Sequence, residues 1–224
     1  MFHSPPALLF DLDGTLVDTA PDLSAATDHV LEAFGRPRIG LDQVRQMVGD
    51  GALALIRRGF AASGPAPDEE TLAAGHRLFL AYYGDHVADT SLPFPGVIAT
   101  LEVLQAAGHP MAVCTNKPYR LSVMLLEQLG LARFFSAVVG GDSLPVRKPD
   151  PGHITGTLAA LALPPGAAAI MVGDSMNDVA SARGAGLPVV AVSFGYTTTP
   201  PDQLGADRLI DDFADLPAAL SGLA

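Results

Sequence analysis

Short apolar runs, each followed by polar residues and spaced by helix-period segments, most constrain how this 224-residue chain can fold. The runs fall at 7–10, 111–114, 137–139, 169–172 and 189–192, with a weaker one at 208–210. Most are continuous rather than alternating, the pattern of strands buried on both faces. Helical stripes lie between the later runs. The segment 97–107 carries Ile98, Leu101 and Leu104 and stops at Gly108, and 119–129 carries Leu121, Leu125 and Leu126 and stops at Gly130. Further helices are predicted at about 151–162 and 177–185, the second ending at Gly186. Strand and helix in alternation predict an α/β fold with a doubly wound parallel sheet.

The first run breaks this rhythm. About eighty residues separate Asp13 from the helix at Val97, and helical stripes fill them without a convincing strand. Leu23, Ala26, Val30, Leu31 and Phe34 form one stripe, opened by Pro21 and closed by Gly35. Val44, Met47 and Val48 fit a short second helix. Leu53, Ile56 and Phe60 form a third, closed by Gly64, and Leu72, Leu78, Phe79 and Tyr82 a fourth. A structureless loop of this length is implausible, so a small helical insertion domain is expected. The expected division is a core of residues 1–17 and 95–224, and an inserted unit of residues 18–94.

Polar residues collect just after the apolar runs, where the carboxyl edge of a parallel sheet binds ligands. Asp11 and Asp13 follow the first run, Thr115 and Asn116 the second, and Asp174 to Asp178 the fourth, while Lys148 opens a helix. Asp11, Asp13, Asp174 and Asp178 are hard oxygen ligands that suit Mg²⁺. Thr115, Asn116 and Lys148 are donors that suit a phosphoryl group, joined by backbone N–H groups near Gly14 and Asn116. The charge balance sharpens this. The chain carries a net charge of −11, which disfavours nucleic acid and anionic membranes. Its only lysines are Lys117 and Lys148, so each is a rare positive point charge, and Lys148 with a cation supplies the local positive site that an anionic ester needs. The single cysteine, Cys114, excludes an intramolecular disulfide. The apolar run near the N-terminus is too short for a signal peptide, and no run approaches membrane-span length. A cytoplasmic protein is expected, and no long heptad decides between a monomer and a homodimer.

Asp11-Leu12-Asp13-Gly14-Thr15, Thr115-Asn116, Lys148-Pro149 and Gly173-Asp174-Ser175 with Asn177-Asp178 resemble, in order, the motifs of haloacid dehalogenase superfamily phosphatases. The helical insertion resembles the small α-helical cap of one subgroup of that superfamily. Asp18-Thr19-Ala20-Pro21-Asp22-Leu23, Val48-Gly49-Asp50-Gly51-Ala52 and Thr115-Asn116-Lys117-Pro118 resemble its phosphoglycolate phosphatase branch. The resemblance implies a Rossmann-like core and a Mg²⁺-dependent hydrolase of small phosphate monoesters, with 2-phosphoglycolate the expected substrate. It implies that Asp11 is the nucleophile and forms an aspartyl-phosphate, and that Asp13 protonates the leaving oxygen and then activates water. It implies that Mg²⁺ is held by Asp11, the backbone carbonyl of Asp13, and Asp174, with Asp178 near the metal or its waters. Gly14, Thr115, Asn116 and Lys148 would bind phosphoryl oxygens. In the cap, Gly49, Asp50 and Gly51 are expected over the substrate, and Arg57 or Arg58 at its carboxylate.

Other readings compete. Cys114 to Arg120 has the Cys-x₅-Arg spacing of cysteine-dependent phosphatases, but the loop contains no glycine and Pro118 removes one donor. A phosphonate-cleaving relative needs a cap lysine, and this insertion has none. A dehalogenase does not need Asp13 as proton donor. A sugar-phosphate mutase, or a phosphatase for another sugar phosphate, shares the core motifs. A non-catalytic phosphate-binding module does not call for the Asp11/Asp13 pair. The six histidines lack close metal-ligand spacing and read as surface or structural, and Tyr82-Tyr83 and Phe134-Phe135 read as core edges.

Overall fold

A computed structural model describes residues 5–164 and 166–223; His3 lies outside them. In chain order the elements are β1 (Ala7–Phe10), β2 (Val17–Asp18), α1 (Ala20–Ala33), α2 (Leu41–Arg45), α3 (Ala52–Ser63), α4 (Glu69–Asp85), β3 (Leu92–Pro93), α5 (Val97–Ala106) and β4 (Met111–Cys114). They continue as α6 (Tyr119–Gln128), β5 (Ala137–Val139), α7 (Pro151–Ala160), β6 (Ala169–Gly173), α8 (Met176–Gly184), β7 (Val189–Val192), β8 (Arg208–Ile210) and α9 (Leu216–Ala219).

Six strands form one parallel sheet in the order β5-β4-β1-β6-β7-β8. The chain therefore builds outward from β1 to one side, then returns across it to β6. That reversal places the ends of β1, β4 and β6 around one crevice. Burial on both faces explains the continuous apolar runs. Leu8 and Phe10 of β1 join one apolar cluster, with Leu101 and Leu104 of α5 and Leu125 of α6. Leu9 joins another on the opposite face, with Ile154 of α7 and Val179 of α8. Two helix starts follow from local capping. The Asp150 carboxylate accepts from Gly152 N–H at 2.7 Å and Pro151 occupies the first turn of α7, while Ser175 and Asp178 form a reciprocal capping box on α8.

Between β1 and α5 the chain forms the four helices α1–α4. Helix α1 packs against α2, α3 and α4, and α3 packs against α4. The second helix ends at Arg45, and Met47 and Val48 lie in turns that carry the chain to Gly49. The insertion also has a strand pair that the residue pattern does not announce. Val17–Asp18 pairs antiparallel with Leu92–Pro93, so entry and exit run side by side. Asp22, on the first turn of α1, ties the same junction: its carboxylate accepts from Thr90 N–H at 3.0 Å and from Ser91 N–H at 2.8 Å.

Candidate active site

The loop after β1 sends its two acids to different neighbours. Asp11 is buried and sits with Asp174 and Asp178, one carboxylate oxygen of each lying within 4.8 Å of the others. The Asp13 side chain turns the other way. It accepts from Thr19 Oγ1 at 2.8 Å and from Lys117 Nζ at 3.0 Å. Gly14, next after Asp13, has φ of +86°, and a Cβ there would lie 2.6 Å from Asp174 Oδ2. Only glycine lets this turn approach the β6 loop so closely. Gly195 does the same from the loop after β7, where a Cβ would come within 2.1 Å of Asp174 Cβ. Asp174 is thus enclosed on two sides and held in place. Its Oδ1 accepts from Thr15 Oγ1 at 3.0 Å and its Oδ2 from Tyr196 N–H at 2.7 Å.

Lys148, from the loop before α7, reaches 2.6 Å from Asp178 Oδ1 and 3.0 Å from Asp11 Oδ1. Asp178 Oδ2 accepts from Ser175 N–H and Oγ, so both of its oxygens have partners within the protein. It orients Lys148 as well as capping α8. The contact with Asp11 lacks hydrogen-bond geometry, and Asp11 Oδ1 is a buried oxygen without a hydrogen-bond donor.

The electrostatics follow from this crowding. Burial, opposed by Lys148 and reinforced by Asp178, raises the Asp11 pKa to about 6. Burial, then Asp178 and Asp11, raises that of Asp174 to about 8. Burial disfavours the Lys148 charge, but Asp11 and Asp178 outweigh it and hold its pKa above the ordinary lysine range. Three buried carboxylates beside one lysine retain an excess of negative charge. An undonated Asp11 oxygen in an all-oxygen cluster fits a hard divalent cation such as Mg²⁺.

The remaining expected residues divide. Thr115 is buried at the end of β4, and its Oγ1 accepts from Lys117 N–H at 3.2 Å. Asn116 is beside it, but both of its amide hydrogens are engaged, one by Gly49 O and one by Lys148 O, each at 2.9 Å. Its side chain ties loops together, and this arrangement leaves it no amide hydrogen for a phosphoryl oxygen. The Gly49–Gly51 turn does approach the core. Asn177 Nδ2 donates to Gly49 O at 3.2 Å and to Asp50 Oδ1 at 2.8 Å. Arg57 and Arg58, expected at a substrate carboxylate, are both engaged by other groups of the chain. Arg57 is exposed and pairs with Glu69 at 3.3 Å, because it lies on the side of α3 that faces the start of α4. Arg58 is held by Asp50 and by Met47 O.

Two side chains that the sequence did not assign to the site enter it. Lys117 is buried, and Tyr83 of α4 belongs to the apolar core as expected but also lines the cavity, its hydroxyl accepting from Lys117 Nζ at 2.8 Å. The cavity between the β1 and β4 loops and the helical insertion is lined by Asp11, Asp13, Thr115, Lys117 and Tyr83, with Leu23, Val48, Leu55, Phe79 and Leu121 as apolar walls. The rarity of lysine marked Lys117 as unusual; nothing in its own segment showed where it points. Both lysines of the chain therefore end beside this site, each against a carboxylate of the β1 loop.

The cysteine alternative does not survive the geometry. Cys114 is buried on the opposite face of the sheet, in the cluster that holds Leu9 and Ile154. Burial pushes its thiol up to about 11, and its Sγ lies 3.4 Å from Nδ1 of the buried His153. Arg120 is exposed on the first turn of α6.

Comparison with known proteins agrees with this arrangement. The family model described as haloacid dehalogenase-like hydrolase matches residues 8–192. The chain is 48% identical over 212 residues to a phosphoglycolate phosphatase of Caulobacter vibrioides, covering 95% of this chain and 89% of that one. It is 44% identical over 215 residues to a phosphoglycolate phosphatase of Agrobacterium fabrum, covering 96% and 92%. Among solved structures, a predicted phosphoglycolate phosphatase from Haemophilus somnus superposes with a TM-score of 0.90 at 33% identity, covering 98% of this chain and 99% of that one. Among the described residues, no helix is long and apolar enough to cross a membrane.

Proposed function

The chain belongs to the haloacid dehalogenase-like hydrolase family and is a phosphoric monoester hydrolase, and from that premise we propose that it hydrolyses 2-phosphoglycolate through an aspartyl-phosphate on Asp11, with Mg²⁺ as cofactor. The observation that carries the reading is the divergence of the two loop acids. Asp11 lies in the carboxylate cluster beside Lys148, whereas Asp13 lies against Thr19 and Lys117 at the cavity. Two carboxylates of one loop in unlike surroundings suit two roles.

In this reading Asp11 attacks phosphorus as the ester bond breaks. Asp13 gives its proton to the departing glycolate oxygen. Asp13 then takes a proton from the water that attacks the aspartyl-phosphate, which releases phosphate and restores Asp11. General acid–base help of this kind contributes roughly 10²–10⁴-fold. Lys148, Thr115 Oγ1 and backbone N–H groups of the β1 and β4 loops meet the phosphoryl oxygens. Asp11 and Asp174, with the Asp13 carbonyl, would hold the Mg²⁺, and Asp178 keeps Lys148 in place beside them. When bound, the cation supplies positive charge that offsets repulsion between the carboxylate and the phosphoryl group. Residues 18–94 act as a cap over a core of residues 1–17 and 95–224, and exclude bulk water while Asp11 reacts.

A steady-state panel of phosphate monoesters with Mg²⁺ tests the substrate. The expected result is the highest kcat/KM for 2-phosphoglycolate. Equal or better turnover of hexose phosphates removes that assignment in favour of a sugar-phosphate enzyme of the same family.

A further inference from the structure

We propose that Lys117 and Tyr83 together form the receptor for a carboxylate on the substrate, so that Lys117 sets specificity for phosphate esters carrying a carboxylate one methylene from the ester oxygen. The inference rests on the proposed hydrolysis at Asp11 and Asp13 and assigns the end of the substrate that those residues do not touch.

Among the described residues, Lys117 is the only cation lining the cavity. It is 4% exposed, between Asp13 and the apolar walls of Leu23, Phe79 and Leu121, so water screens its charge little. An ammonium has three N–H donors. They meet both oxygens of the Asp13 carboxylate, at 3.0 and 3.3 Å, and the Tyr83 hydroxyl at 2.8 Å, with the nitrogen 4.5 Å from the Tyr83 ring centre. The contact with Asp13 Oδ2, at 3.3 Å, is the longest of the three and the one a substrate carboxylate can take over. Tyr83 accepts from Lys117, and its own hydroxyl hydrogen has no acceptor among the described residues. The Lys117 ammonium, with its longest contact at 3.3 Å, thus lies beside the Tyr83 hydroxyl hydrogen, a charged donor next to a neutral one, which is the chemistry that recognises a carboxylate.

Placement agrees with the substrate's dimensions. Asp13 must stand at the leaving oxygen to protonate it, and Lys117 is in direct contact with Asp13. A carboxylate separated from that oxygen by one methylene therefore falls within reach of Lys117. A longer polyhydroxylated group would instead meet Leu55, Phe79 and Leu121, which offer no hydrogen bonds to hydroxyls. The cap arginines are engaged by Glu69 and Asp50 and leave this role open.

The test compares kcat/KM for 2-phosphoglycolate and for ethyl phosphate, which lacks the carboxylate, in the unmodified enzyme, Lys117→Met and Tyr83→Phe. Loss of the Lys117–Asp13 contact slows both esters and cancels in the ratio. The ratio is expected to fall ~10- to 100-fold in K117M, the range of a charge-assisted hydrogen bond, and by less in Y83F. Inhibition by glycolate should weaken in parallel. A ratio unchanged in both variants, in an enzyme that prefers the carboxylated ester, overturns the receptor and leaves the proposed substrate standing. No preference for the carboxylated ester in the unmodified enzyme overturns both. If K117M does not fold, the ratio in Y83F decides, because the aromatic ring is retained there.

Discussion

Cys114 and His153 show how two neighbours can settle the protonation of a buried pair. His153 Nε2 faces Gly140 O at 3.1 Å, so that nitrogen carries the hydrogen, and Nδ1 is left to accept from the thiol at 3.4 Å. A thiol held as a donor on the far face of the sheet is not a nucleophile. Cys114→Ser is therefore expected to keep at least about half of the unmodified kcat/KM, while a chelator abolishes activity in both proteins. Full activity in chelator with loss in C114S, measured with any phosphate ester that is turned over, would sink the Asp11 mechanism. At this scale the sequence was most legible where a residue follows a strand. Asp11, Asp13, Thr115, Lys148 and Asp174 all arrive at one crevice because parallel strands share a carboxyl edge. Lys117 and Tyr83 were not legible. Tyr83 follows Phe79 by four residues on the buried face of α4, a stripe expected to run through Tyr82 instead, and apolar periodicity says nothing of where the Tyr83 hydroxyl ends.

At the scale of elements, the β2/β3 ribbon and the clamp at Asp22 hold the base of the insertion. Two-residue strands are too short for any periodicity, which explains their silence in the sequence, whereas α1, α3 and α4 each run for three turns or more and announce themselves. Asp22 is 3% exposed and collects backbone and hydroxyl donors from both Thr90 and Ser91. Burial opposes its charge, but these hydrogen bonds outweigh it and hold the carboxyl below its ordinary pKa. An acid lowered by folding contributes stability that is present above its unfolded pKa, near 3.9, and is lost as pH falls through the folded value. Asp22→Asn keeps the shape but halves the acceptors, and is expected to cost about 1–3 kcal/mol at pH 7. Urea unfolding at pH 7 and pH 3 checks this. The gap between the two proteins should be narrower at pH 3, and a gap of equal size at both would show that the clamp does not depend on the charge.

For the whole molecule, the dominant electrostatic fact is that a chain of net charge −11 gathers three of its carboxylates in one buried cluster. Folding therefore works against ionisation of Asp11 and Asp174, whose pKa values rise to about 6 and about 8 in the protein alone. The sign of the consequence is opposite to that at Asp22. Between the unfolded value near 3.9 and about 8, the folded protein without a cation holds more protons than the unfolded chain, so its stability falls as pH rises through that window. A divalent cation binds the ionised carboxylates of the folded state only, and raises stability most where the protein alone is weakest. Melting temperature is expected to fall from pH 5 to pH 8 in chelator, and the increment given by Mg²⁺ to grow over the same range. Asp174→Asn should flatten the chelator profile and shrink the Mg²⁺ increment together, because one carboxylate is the source of both. A Mg²⁺ increment independent of pH would mean that the cation does not bind at this cluster, and would move the cofactor elsewhere.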